Sequence, residues 1–222
     1  MKVDRNVVAV NIPYHRTVSQ KVQPYHHGNL RPVLVDTAVD LARSTGPDGV
    51  VLREVARRAG VSHNAAYRHF SDRAALLAEV SQRAMDDLEQ AMTSRIEGVT
   101  LTDPADRARA RLRETGRAYV AFALAEPGLF AVAFTEPEGE MVHSDLETVT
   151  GPYAVLNGVL DELVDCGAVT PERRQGADVA CWAMVHGFAE LVGSGPLREV
   201  PAELREQMLE SVLDVVQRGL VG

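Results

Sequence analysis

The segment Leu52-Arg-Glu-Val-Ala-Arg-Arg-Ala-Gly-Val-Ser-His-Asn-Ala-Ala-Tyr-Arg-His-Phe70 constrains the fold more than any other stretch of the chain. Two short amphipathic runs flank Gly60, and a tight turn between two helices accounts for that pattern. Glycine supplies the positive φ such a turn demands, and Ala56 is small where the helices cross closely. Val55, Val61, Ala66 and Phe70 form the apolar side that locks the second helix on the first. Ser62 stands where a cap for that second helix belongs. The reading is a helix over 52–59 and another over 62–70, inside a unit that spans 25–73.

The rest of the chain is also predicted helical, so the fold class is all-α: a three-helix head followed by a larger helical body over 74–222. Residues 1–24 show no helical period and read as an arm. Asn29 is a cap for a first helix whose stripe is Leu34, Ala38, Leu41 and Ala42, stopped by Gly46-Pro47. A long helix begins near Ala74, and Asp103-Pro104 starts the next, which Pro127-Gly128 breaks before a short apolar piece. After a loop at 137–143, a stripe runs from Leu146 and Val149 to Leu163, with Gly151-Pro152 either kinking that helix or marking its start. Thr170-Pro171 opens a helix holding Ala177, Cys181, Met184, Phe188 and Leu191, and Pro201 opens the last one, holding Leu204, Met208, Val212 and Val215.

Charge is divided unevenly along the chain. Residues 1–73 carry 11 Lys and Arg against 6 Asp and Glu, whereas the whole chain has a net charge of -8. A basic head on an acidic body is the pattern of a chain that meets phosphate at one end. In helix-turn-helix units the N-terminal half of the second helix enters the major groove. Here that half carries His63, Asn64, Ala65 and Arg68. Asn can bond adenine and Arg guanine bidentately, while Tyr67 and His69 offer donors to phosphate and Arg73 offers charge at the start of the next helix. With Arg53 and Ser62, these are the candidate DNA-binding residues, and double-stranded operator DNA is the expected partner. One such unit makes few contacts, so two copies on an inverted repeat are expected.

This stretch resembles the TetR family of repressors. The likeness runs from Tyr25-His-His-Gly-Asn-Leu-Arg31 through Arg53–Ser62 and Tyr67-Arg-His-Phe70 to Asp72-Arg-Ala-Ala-Leu-Leu77. Trp182-Ala-Met-Val-His186-Gly187 is similar to the Trp-x-x-x-His-Gly run of one branch. The resemblance implies an operator-reading second helix and a C-terminal body that binds a small-molecule inducer and dimerises. Two departures stand out. The family commonly has Ser or Thr before the first motif helix, where this chain has Val50-Val51, so a cap typically worth about 1 kcal/mol is missing. Ala66 replaces a larger aliphatic residue, and Arg73 stands where Lys is frequent.

In the body, Tyr119, Phe122, Phe130, Phe134, Tyr153, Trp182 and His186 are the candidate ligand-binding residues, each also suited to ordinary core packing. The helices at about 171–193 and 201–218 have broad apolar faces rich in small residues (Ala177, Ala180, Ala183, Gly187, Ala189) and are assigned to a homodimer interface. The run Arg107, Arg109, Arg111, Arg113 and Arg117 reads as a solvated helix surface, with Asp103 and Asp106 as local partners.

Other functions find little support. The chain has no Gly-rich phosphate loop or nucleophile elbow, so it does not read as an enzyme and calls for no cofactor. His186 with Glu190 falls short of a metal ligand set. Cys166 and Cys181 have no paired spacing and read as inert thiols in a reducing cytoplasm. No apolar run has the length of a membrane helix, and the N-terminus lacks the apolar core of a signal peptide. Two alternatives stay open: a helical interaction protein with a degenerate helix-turn-helix, and a ligand-dependent activator.

Overall fold

The computed structural model describes residues 30–135 and 150–221. The arm, the Asn29 cap, the loop at 137–143, and Leu146 and Val149 lie outside the described residues. Among the described residues every regular element is a helix: α1 Leu30–Gly49, α2 Leu52–Arg58, α3 His63–Tyr67, α4 Arg73–Glu97, α5 Pro104–Ala125, α6 Pro127–Ala133, α7 Gly151–Asp165, α8 Pro171–Arg174, α9 Ala177–Gly193 and α10 Ala202–Val221.

The stripe Leu34, Ala38, Leu41 and Ala42 is fully buried, and Gly46 breaks α1 at φ 67 before Pro47 and a last turn. Asp72 caps α4 by accepting the Ala75 amide at 2.8 Å, and Asp103 caps α5 by accepting the Asp106 amide at 2.9 Å. Gly151 has φ 67 and Pro152 sits in the first turn of α7, so this pair marks the true start of that helix.

α4 is the beam that joins head to body. Its buried side, Leu76, Val80, Ala84, Leu88 and Met92, packs against α1 and also against α5, α6 and α7. One apolar core therefore runs from Leu34 and Phe70 in the head to Tyr119, Phe188 and Leu213 in the body. A second cluster, centred on Leu160, Leu163 and Cys181, fills the far end of α5, α7 and α9.

Three expectations change. The helix foreseen from Thr170 to beyond Leu191 is two helices, because Gly176 turns left-handed at φ 72 between α8 and α9. The apolar stripe starts only at Ala177, after the break, so periodicity alone did not register it. Leu204 and Val215 do not line the inner side of α10; Leu209, Leu213 and Leu220 do. The arginine run on α5 is not simply a solvated surface. Arg111 pairs with Glu162 of α7 at 2.8 Å, Arg113 bonds Glu210 and Asp214 of α10, and Arg117 joins Glu114 and Glu210. Apart from Glu114, these acidic partners lie on helices distant in sequence, and closing the bundle brings them over α5.

Candidate DNA-reading surface and aromatic core

α3 is built from local rules. α2 begins at Val51 with no side-chain cap, as the Val50-Val51 pair predicted. Gly60 takes φ 70, and the Val61 amide closes the turn on the Ala56 carbonyl at 3.0 Å. Ser62 caps α3 by accepting the Ala65 amide at 3.2 Å. Ala66 and Phe70 are buried beneath, which turns His63, Asn64, Tyr67 and Arg68 outward. The rings of His63 and Tyr67, one helical turn apart, stack with centroids 4.4 Å apart. Arg53 is exposed on α2, while Arg57 and Arg58 converge on Glu54 and hold its carboxyl down at about 2, Arg57 contributing most.

Arg73, expected to offer charge to phosphate, also bonds within the head. Its Nε donates to the Val50 carbonyl at 3.0 Å and its Nη2 to the Pro47 carbonyl at 2.7 Å, so the guanidinium faces the α1–α2 corner. His69 is half-buried, and its carbonyl accepts from Nη1 of Arg31 at 2.7 Å. Arg31 also donates to Glu79 at 2.6 Å and lies 4.5 Å above the centre of the Phe70 ring. The sequence reading missed Arg31 as a tie between α1, the end of α3 and α4; nothing in local spacing pairs residue 31 with residues 69, 70 and 79.

In the body, the fold brings most of the chosen aromatics together. Tyr119 of α5 lies at the centre, with Phe130, Phe134, Trp182 and His186 at ring centroids of 5.6, 6.3, 5.5 and 6.2 Å. Its hydroxyl shares a 2.8 Å hydrogen bond with Nδ1 of His186. Burial, with the charge of Glu190 as a smaller cause, pushes the Tyr119 phenol well above its ordinary range. Tyr153 meets Trp182 edge-to-face at 5.4 Å and donates its hydroxyl proton to Asp178. Phe122 is buried in the core but stands outside this ring cluster.

A cavity of about 30 Å³ lies beside the cluster between Met92, Thr115, Tyr119, Cys181, Trp182 and Leu213. Burial pushes the Cys181 thiol up to about 11, which keeps it protonated and unreactive near neutral pH.

This architecture and its sequence match known proteins. The model for bacterial regulatory proteins of the tetR family matches residues 34–80, and that for the tetracyclin repressor-like C-terminal domain matches residues 112–216. The chain belongs to the TetR family of transcriptional regulators. A solved structure of a protein with unknown function from Rhodococcus sp. RHA1 is 32% identical, with a TM-score of 0.73, 90% of this chain and all of that one being covered. The uncharacterized HTH-type transcriptional regulator YobS of Bacillus subtilis is 22% identical over 198 residues, spanning 88% of this chain and 93% of that one. PfmR, a TetR family regulator from Thermus thermophilus, shares the fold at 20% identity and a TM-score of 0.57, over 84% of this chain and 95% of that one. In this TetR-family regulator the residues matched by the N-terminal regulatory domain take in α2 and α3, and those matched by the C-terminal domain take in the Tyr119 cluster. No helix among its described residues is long and apolar enough to cross a membrane.

Proposed function

We propose that this regulator is a homodimeric repressor that leaves its operator when a small, largely apolar molecule enters the Tyr119 cluster. The observation that carries the proposal is the placement of Phe130 on α6 and of Phe134 at its C-terminal cap. They reach into the ring cluster from a helix whose other side rests on α1 of the head. A ligand that parts the rings must shift α6, and α6 cannot shift without disturbing α1.

Base readout is assigned to Asn64 and Arg68, with His63 and Ala65 beside them and Arg53, Tyr67 and the Ser62 turn positioned for backbone contacts. The dimer face is assigned to α9 and α10. Val179, Met184, Leu191, Leu204 and Val215 are exposed there, and Ala180, Ala183 and Gly187 between them leave room for close helix approach. The Trp182-x-x-x-His186-Gly187 run contributes two members of the ring cluster, which supports a ligand-sensing role for it.

Trp182 is the only tryptophan of the chain and so reports on the cluster directly. Planar aromatic compounds are titrated into the preformed operator complex while Trp182 fluorescence and DNA release are followed together. The proposal expects both signals to saturate at the same concentration. Release with no change at Trp182 contradicts it.

A further inference from the structure

An outward-facing arginine at the first position of α4 would add a phosphate contact to the reading surface. Arg73 is occupied elsewhere. Its Nε and Nη2 donate to the carbonyls of Val50 and Pro47, 23 and 26 residues earlier in the chain. Those carbonyls belong to the corner that joins α1 to α2. Within the corner, backbone bonds run from Val50 to Pro47 and from Val51 to Gly49, but Gly46 breaks α1 at φ 67 and Val51 gives α2 no side-chain cap. α2 is in turn the floor on which α3 sits, through the Val61–Ala56 turn bond and the buried side chains of Val55 and Ala66. Two fixed acceptors suit the forked donors of a guanidinium, whereas a lysine ammonium is a single point on a flexible stem.

We propose that Arg73 is a positioning residue for operator binding. It holds the α1–α2 corner on the first turn of α4 and so sets the angle at which α3 is presented, without itself neutralising a phosphate. Arg31 ties the opposite side of the same joint, from α1 to His69, Phe70 and Glu79. The inference rests on α3 as the DNA-reading helix.

Arg73→Lys and Arg73→Gln in the full chain separate the roles. Operator affinity is measured between 50 and 200 mM salt, and amide exchange of Glu54 and Val55 is followed in the free protein. Positioning predicts that both variants bind roughly tenfold more weakly, about 1.4 kcal/mol. The slope of log affinity against log salt stays as in the wild type, and exchange in the first turn of α2 speeds up in both. A Lys variant that binds like the wild type, beside a Gln variant whose slope falls by about one phosphate, would overturn the proposal in favour of a direct contact. Unchanged affinity with a lower melting temperature would overturn it in favour of fold stability alone. A wild type that binds no duplex would be a failure of the reading surface itself, and the exchange rates would still decide whether Arg73 holds the corner.

Discussion

The guanidinium of Arg43, near the end of α1, lies 3.1 Å from the carboxylate of Glu126, the residue that opens α6. Two residues further on, Gly128 packs so closely on α1 that a Cβ there would stand 2.0 Å from the Ala42 carbonyl oxygen. Head and body therefore meet backbone to backbone at α6, beside an ion pair that also draws in Asp87 of α4. Gly128→Ala forces α6 away from α1, since the obstructing atom belongs to the backbone. We expect a loss of about 1–3 kcal/mol in denaturant unfolding. A stability equal to wild type would show that the contact relaxes freely.

Tyr119→Phe removes one hydroxyl from the ring cluster and leaves Nδ1 of His186 without its partner. Tyr119 is buried but His186 is only half-buried, so the lost hydrogen bond should cost about 0.5–1.5 kcal/mol in urea or guanidinium unfolding. Tyr153→Phe makes a useful comparison at the edge of the cluster, where Asp178 retains contact with Arg174.

The ion network over α5 predicts the acid side of the stability curve. Burial would raise the Glu210 carboxyl, but hydrogen bonds from Arg117 and Arg113 outweigh it and hold the group below its usual range; Glu114 is lowered by Arg117 and Arg95 in the same way. A carboxylate lowered in the fold stabilises it above the unfolded value of 4.5, and the effect fades as pH falls below that. Glu210→Gln should therefore flatten the loss of stability below about pH 4.5 and cost on the order of 1 kcal/mol at pH 7, given partial solvent screening. An acid limb as steep as that of the wild type would remove the network from the account.

On the reading surface, Asn64→Ala should change base preference at one operator position by about 1–3 kcal/mol, whereas Tyr67→Ala should weaken binding to all duplexes alike. Competition binding against operators varied one base pair at a time separates the two effects. A uniform loss for Asn64→Ala assigns that residue to positioning.

Much of the head was legible in the sequence because it obeys local rules. Gly60, Ser62 and the uncapped Val51 each act within four residues of their own position. The path of an arginine is not local. Arg73 reads as an exposed cation until the carbonyls of Pro47 and Val50 come beside it, and Arg113 until Glu210 and Asp214 close over α5 from about a hundred residues away. Periodicity had the same limit in the body. It put Met184 and Leu191 on one side of α9 with Cys181 and Phe188, which prove buried, and Leu204 on a side of α10 that misses the buried Leu209, Leu213 and Leu220; Met184, Leu191 and Leu204 are exposed. A stripe records that apolar groups share a side, not whether that side faces the monomer's own core.

Those exposed groups give a direct test of assembly. Leu191→Glu with Val215→Glu places charge on both helices of the assigned dimer face without touching a buried position. Sedimentation should show the variant as a monomer with its helix content kept. A dimer that persists would move the interface elsewhere.

The central claim is that a pair of these chains reads DNA through α3, and selection from randomised duplexes tests it most directly. Purified protein is cycled with the pool, bound sequences are read, and the best one is titrated across a salt series. The account predicts an enriched inverted repeat whose half-sites lie about one helical turn apart, with affinity falling steeply as salt rises. No enrichment by ligand-free, refolded protein, or enrichment of a single unpaired site that α3 variants still bind, would contradict it.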